Sequence, residues 1–359
     1  MRIAVLGGGN GSYAAAADLA EQGHEVRLWR RDAAAFAPVL EASALRLVDH
    51  RGSREVRLAL ATTALAAALA GAELIVAPVP AFGQVELARA TAAHLADGQV
   101  IFLPPGSFGS YVMARVFREA GARAEVSLAE TGTLPYLTRK RGAAEIAITT
   151  RATRLPTGVF PARLGAHAIA VIKRAYSAIE PVEDALSAAL MNAGPIIHPP
   201  LIVMNAGPIE HFEHWDIHNE GTTPSIRRVT TALDGERMLL REALGYGPPH
   251  FPLADHYESD RWMYGNLAHD KLVESGDWRE RLDLLRHRYM REDVAYGLAF
   301  LDSVAAWTGI GCPVARGLLA IAAAMCGEDF SRSPRRLEAL GLDRLDRDAM
   351  ARLLKEGLE

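Results

Sequence analysis

The chain opens on a short apolar run from Arg2 to Leu6, followed at once by glycines and then by an Ala-rich stretch from Tyr13 to Glu21. An apolar run of this length bounded by turn residues predicts a buried strand, and the Ala-rich stretch predicts a helix that Gly23 ends. His24 to Trp29 then alternates, with Val26 and Leu28 on one face, which is the period of a strand. Strand, helix and strand within about thirty residues make one compact βαβ unit.

The pattern repeats. The pale stretch from Ala64 to Phe82 carries Glu73, Pro78 and Pro80, so it reads as helix, turn and buried strand (Leu74–Val79) rather than as a membrane span. Val100–Leu103 is a further buried strand that Pro104-Pro105-Gly106 ends, and Glu125–Ala129 and Glu145–Thr149 read as two more. Short apolar strands alternating with helices predict a mostly parallel sheet covered on both faces, an α/β Rossmann-type dinucleotide-binding domain. Ligands of such sheets bind at the carboxyl ends of the strands, where Gly7, Pro78 and Pro104 fall.

From about Glu183 helical signals dominate: Glu183–Met191, Ser225–Leu244, Trp278–Leu285, Val294–Thr308, Ala315–Cys326 and Asp346–Lys355. The expected organisation is a dinucleotide-binding domain over 1–182 and an all-α C-terminal domain over 183–359. The apolar half of the chain's 359 residues suffices for two cores and excludes a disordered chain.

Charge adds two points. A net charge of −4 demotes nucleic-acid binding, which usually shows a basic excess. Only Lys140, Lys173, Lys271 and Lys355 among the 39 basic residues are lysine, so the basic set is arginine, the residue suited to bidentate anion binding. Two cysteines, Cys312 and Cys326, make neither a disulfide framework nor a metal cluster and fit a reducing compartment. No signal peptide is visible, so a cytoplasmic location with no membrane partner is expected.

The loop Gly7-Gly8-Gly9-Asn10-Gly11-Ser12 fits G-x-G-x-x-(small). Gly7 permits the tight turn, Gly9 lets backbone approach a pyrophosphate, and Ser12 keeps the helix close to the strand. Asn10 and Gly11 then open the helix, whose free N–H groups face phosphate. The bland alternative is a structural glycine turn. The second strand ends in Arg30-Arg31-Asp32, where NAD binders place an acid for the ribose hydroxyls. Arg30 and Arg31 suit a 2′-phosphate, so NADP is favoured, with NAD through Asp32 as the alternative.

The second domain opens with Asn192 to Glu210, in which Pro199 and Pro200 follow His198. Two prolines predict an extended or turned segment, so His198 is expected in a rigid loop at the domain junction. It reads either as an acid/base group or as a histidine that satisfies backbone groups.

With these residues on view, the chain resembles the opine dehydrogenase family, of the octopine/nopaline dehydrogenase type. The resemblance spans nearly the whole chain. It runs through the opening glycine loop, Pro105-Gly106, Glu130 to Tyr136, the Asn192–Glu210 block, Thr223-Pro224-Ser225, and His287-Arg288-Tyr289 through Glu292-Asp293-Val294, in that order. The resemblance implies an enzyme that joins an amino acid to a 2-oxo acid through an imine and reduces it with NAD(P)H. The expected product is a secondary amine with two carboxylates, formed in a cleft between the domains. It also implies that His198 is the catalytic histidine, Asp293 its carboxylate partner and Arg288 the arginine that handles a substrate carboxylate. A homodimer is a candidate assembly.

Arg288 and Asp293 are five residues apart, which on one α-helix would not share a face, so a helix start or bend is expected between them. The family block commonly reads Asn-Pro where this chain has Gly194-Pro195, and Ala295 stands where a proline is common. His211, His214 and His218 have helical spacing, but no metal site is expected and a place for one of them in the substrate pocket is favoured. Tyr257, Trp262 and Tyr264 read as core before pocket. Two further readings stay in view. One is a hydroxyacid or polyol-phosphate dehydrogenase acting through Lys173. The other is a non-catalytic NADP-sensing protein, which has no need of His198, Arg288 and Asp293 together.

Overall fold

A computed structural model describes residues 1–265 and 268–358. It divides into two compact units, Met1–Ala188 together with the chain from Leu353 onward, and Ala189–Arg352.

The first unit is built on two sheets. Its strands are β1 (Arg2–Leu6), β2 (Glu25–Trp29), β3 (Ala44–Asp49), β4 (Gly52–Arg57), β5 (Leu60–Thr62), β6 (Leu74–Val76), β7 (Val100–Leu103), β8 (Ser127–Thr131), β9 (Tyr136–Lys140), β10 (Glu145–Arg151), β11 (Leu155–Phe160) and β12 (Ile179–Pro181). The main sheet has the order β12-β11-β8-β7-β6-β1-β2-β5. It is parallel from β8 to β5, and β11 enters antiparallel to β8. Alternation sets its two faces. Ile3, Val5, Val100 and Phe102 point into one core, and Ala4, Leu6, Ile101 and Leu103 into the other.

A second sheet, β4-β3-β10-β9, departs from the sequence reading. The strand expected at Glu145–Thr149 exists as β10 but belongs here, antiparallel to β9 and parallel to β3. The reason lies in helix α1 (Asn10–Glu21). Its residues Gly11–Leu19 are all buried, and Tyr13, Ala14–Ala17 and Leu19 share one core with Ile3 and Val5 of the main sheet and with Leu45, Leu47, Ile146 and Ile148 of the second. A helix covered on two sides needs small side chains all round, which is what the alanine run provides.

Charged groups tie α1 to this second sheet. Asp18 accepts bonds from Arg151 Nε at 2.7 Å and Tyr136 Oη at 3.1 Å, and Glu21 pairs with Arg54. Buried Asp49 accepts from Arg54 Nη1 at 2.7 Å and Arg151 Nη2 at 2.8 Å.

The second unit contains helices and, among the described residues, no sheet strand. Pro224–Ala243, Ala299–Thr308 and Pro313–Cys326 are among its longer α-helices. The last two end on Gly309 and Gly327 at positive φ, where glycine carries no Cβ penalty. The helix expected at Trp278–Leu285 is absent. That stretch is irregular, and a helix lies earlier, at Ala268–Ser275. Trp278 and Leu284 are its buried apolar residues, and a spacing of six gives no helical stripe.

The larger correction concerns His198. Gly194–Met204 is a helix that contains Pro199 and Pro200, not the expected extended loop. Each internal proline costs about 3 kcal/mol. The helix buries Pro195, Ile196, Pro199, Pro200, Leu201, Ile202 and Val203. At roughly 1.5–3 kcal/mol per large apolar side chain, that burial outweighs the proline penalty. Ala185–Met204 is long and apolar enough to cross a membrane, but 78% of that stretch is buried inside the protein, as in a core helix.

Arg54 holds the Asp49 carboxyl well below the usual carboxylate range, with burial opposing and Arg51 N–H and Arg151 assisting. A depressed folded pKa gives stability that is present above the unfolded value near 3.9 and is lost as the pH falls below it. Asp49→Asn is therefore expected to cost about 2 kcal/mol at pH 7 in urea unfolding. The gap from wild type should narrow by about 1 kcal/mol between pH 5 and pH 3. A gap independent of pH would contradict this role.

Candidate active site

In the first unit, the glycine loop follows β1 and opens α1. Gly7 has φ +125°, and a Cβ there would strike Ser12 Oγ, which itself donates to Leu6 O at 3.3 Å. Gly11 must be small because a Cβ would meet Leu134 and Pro78. Gly9 differs. It is exposed, nothing lies within 4 Å of where its Cβ would be, and it precedes a helix with no side-chain cap. Packing within the chain does not require glycine there, whereas close approach of a phosphate to the N-terminal N–H groups of α1 does. The donor set therefore fits a dinucleotide pyrophosphate.

The other predicted cofactor residues separate. Arg30 lies over the loop, its stem against Gly8, and donates to Tyr13 Oη at 3.3 Å and Ala35 O at 2.9 Å. Arg31 is largely exposed and pairs with exposed Glu86. Asn10 Oδ1 accepts the Lys140 N–H at 3.0 Å, so this side chain anchors β9 to the loop. Asp32, the alternative ribose acid, accepts from Ala35 N–H at 3.1 Å.

A second loop at the carboxyl end of β7 is held by Glu130, a fully buried carboxylate of β8. Glu130 accepts from Phe108 N–H at 2.6 Å, Ser110 N–H at 3.2 Å and Ser110 Oγ. Ser107 and Phe108 adopt left-handed backbone here, and a Cβ on Gly106 would strike Glu130. Sequence reasoning gave Glu130 no role. An acid in an otherwise uncharged strand, the one after the strand that the Pro-Pro-Gly loop ends, is the signal that was available.

In the second unit, His198 and Asp293 come together. His198 Nδ1 lies 2.7 Å from Asp293 Oδ2, with side chains 16% and 5% exposed. Asp293 belongs to a π-helix, Tyr289–Leu298, that Arg288 caps. The wider i→i+5 turn brings residues five apart nearer one face than an α-helix would. This is the local departure expected between Arg288 and Asp293. Arg288 is half-exposed, its Nε 3.4 Å from Glu292 Oε2.

Burial pushes the Asp293 carboxyl up to about 7, against the lowering effect of Arg288. The Tyr289 ring stacks on the His198 imidazole at 3.7 Å between centroids, and His218 meets it edge-on at 5.7 Å. Of the three histidines at helical spacing, His218 is thus beside His198. Among the described residues no cluster of histidine, cysteine or acidic side chains could hold a metal.

Glycine explains why the pair fits. A Cβ on Gly194 would strike Asp293 Oδ1, and one on Gly297 would strike Pro195. The helix Gly194–Met204 and the π-helix cross in direct contact at these two glycines. The chain's Gly194-Pro195, in place of Asn-Pro, is the small residue that this crossing needs. Trp262 and Tyr264 are buried, as core residues are, and Lys173 is exposed at the end of the helix Gly165–Lys173.

A mostly parallel sheet with a glycine loop in one unit, and a buried His–Asp pair in a helical second unit, accord with a nicotinamide-dependent oxidoreductase class. Residues 181–326 match the family model for the NAD/NADP octopine/nopaline dehydrogenase alpha-helical domain, and residues 2–106 match that for the NAD-dependent glycerol-3-phosphate dehydrogenase N-terminus. The opine dehydrogenase of Arthrobacter sp. (strain 1C) is 27% identical over 350 residues, 95% of each chain. Octopine dehydrogenase solved with NADH and L-arginine superposes with a TM-score of 0.72 at 18% identity, covering 99% of this chain and 98% of that one. NADP⁺-bound yersinopine dehydrogenase does so with a TM-score of 0.65 at 15% identity, covering 99% and 98%. The chain is thus similar to the opine dehydrogenase family along nearly its whole length.

Gly194→Ala is expected to push the Asp293 carboxylate off His198. An opposite charge at this range shifts a histidine by 1–3 pKa units. The His198 titration midpoint, followed by NMR, should therefore fall by about one unit or more. Gly207→Ala, at a position with open space, should leave it unchanged. Equal midpoints in both variants would contradict the packing argument.

Proposed function

We propose that this chain is an NAD(P)H-dependent opine dehydrogenase that condenses the amino group of an amino acid with a 2-oxo acid and reduces the resulting imine to a secondary amine dicarboxylate. The observation that carries the reading is the buried His198–Asp293 contact of 2.7 Å beside the half-exposed Arg288. Overall, amino acid, 2-oxo acid, NADPH and a proton give the secondary amine, NADP⁺ and water.

His198 is the acid/base group. Asp293 occupies Nδ1, so Nε2 is the nitrogen that exchanges a proton with substrate. With the carboxyl raised to about 7, the pair moves one proton near neutral pH, which suits general acid catalysis. Once the amine has added to the carbonyl carbon, His198 protonates the carbinolamine hydroxyl and water leaves. The Tyr289 stack and the Asp293 carboxylate favour the imidazolium before that transfer. Arg288 offers its planar fork to a substrate carboxylate. The bound nicotinamide supplies the hydride.

Gly7, Gly9, Asn10, Gly11 and Ser12 form the loop against which the pyrophosphate would lie, and Arg30, before Arg31, is the cation for a 2′-phosphate. NADP is the favoured cofactor and NAD the alternative. Two cysteines without a disulfide, Cys312 and Cys326, support the reading of a cytoplasmic enzyme. The assembly reading is a homodimer. Leu239 and Ile321, both more than half exposed on two neighbouring helices, supply apolar surface for it.

His198→Ala is expected to abolish turnover of an amine and oxo-acid pair while NADPH binding stays intact. Asp293→Asn should lower kcat by about 10²–10⁴-fold. Arg288→Lys should raise KM for a carboxylate substrate more than it lowers kcat. Steady-state kinetics with fluorescence titration of NADPH separates these effects, and retained turnover in His198→Ala would refute the assignment.

A further inference from the structure

Lys140, one of only four lysines in the chain, ends β9 in the second sheet of the first unit, yet it reaches the glycine loop. Its Nζ donates to Gly8 O at 3.3 Å and lies 3.7 Å from the centroid of the Tyr13 ring. Its own N–H is held by Asn10 Oδ1 at 3.0 Å, so the strand end is fixed to the loop at two points. Arg30 arrives from the end of β2 in the main sheet. Its Nη1 donates to the hydroxyl of the same Tyr13, and a Cβ on Gly8 would lie 2.5 Å from its Cδ and Nε. Two cations carried by two different sheets thus converge on one buried tyrosine and one glycine.

Among the described residues neither cation is ion-paired to a carboxylate; the nearby arginine that does have an acid is Arg31, with Glu86. Burial and the facing Arg30 push Lys140 down to about 8. Like charges held this close without an acid favour an anion that satisfies both. The place in the fold selects the anion. A pyrophosphate lies on the N–H groups that follow Gly9, whereas the end of the second strand is where a dinucleotide's ribose hydroxyls lie.

We propose that Lys140 and Arg30 together clamp the 2′-phosphate of NADP, with Lys140, and not Arg31, as the second cation that sets NADP over NAD. The proposal rests on the dinucleotide reading above. Arg30 supplies a planar fork, and Lys140 a point charge whose direction is set by the Tyr13 ring beneath it.

The test is equilibrium binding of NADPH, NADH and 2′,5′-ADP to wild type, Lys140→Met, Lys140→Arg and Arg31→Met. Lys140→Met is expected to weaken NADPH and 2′,5′-ADP roughly tenfold and to leave NADH within twofold, with an unchanged melting temperature. Lys140→Arg should keep most of the preference, and Arg31→Met should keep all of it. Equal losses of NADPH and NADH in Lys140→Met would make Lys140 a loop tether and overturn the proposal. An unchanged NADPH to NADH ratio would overturn it too. Wild type binding neither dinucleotide would instead defeat the underlying reading, so the two failures are distinct.

Discussion

The chemistry of this protein depends on one crossing of two helices. At Gly194 the helix carrying His198 comes so close to the π-helix carrying Asp293 that no Cβ fits between them. That approach places a carboxylate 2.7 Å from an imidazole in a site nearly closed to solvent. A carboxylate buried alone would neutralise or unfold the site. Here burial raises it and the charge of Arg288 opposes that rise, leaving a pKa of about 7. The π-helix is part of the same solution, because its wider turn brings Arg288 and Asp293 toward one side. π-turns are rare and concentrate at functional sites, which accords with a helix distorted for its side chains rather than for its own stability.

The nucleotide-binding unit depends on a different constraint, the burial of α1 between two sheets. Small residues along the helix let both sheets approach it, and the ion network of Asp18, Glu21, Asp49, Arg54 and Arg151 fixes the second sheet in register with it. The result is that β9 ends at the glycine loop. A strand distant in sequence thereby contributes Lys140 to a site that a glycine fingerprint would ascribe to the loop and β2 alone. The arginine-rich composition gains a specific meaning: most arginines serve ion pairs, and a few stand where small anions would bind.

Much of this was legible in the residues. The βαβ opening and the strands β1, β2 and β7 follow from apolar runs bounded by glycine and proline, since burial on both faces leaves a continuous apolar signal. The α/β and all-α division follows from the change of period after about residue 183. The second sheet was not legible, because its strands are short, half-polar and paired between segments a hundred residues apart. The proline-containing helix was not legible either, because local propensity argues against it and only tertiary burial overrides it. Within the site, His198, Arg288 and Asp293 were identified through family motifs. Tyr289, Glu292 and His218 depend on three-dimensional proximity that no spacing encodes. Lys140 left one trace, its rarity.

The central claim is that the His–Asp pair serves the condensation of an amine with an oxo acid, and not the reduction of a carbonyl alone. The most direct measurement is NADPH consumption over a matrix of amino acids and 2-oxo acids, with the product mass determined for each active pair. The account predicts oxidation only when both substrates are present, and a product equal to their summed mass less one oxygen atom. Oxidation of NADPH by a 2-oxo acid alone, with the corresponding hydroxy acid as product, would contradict it.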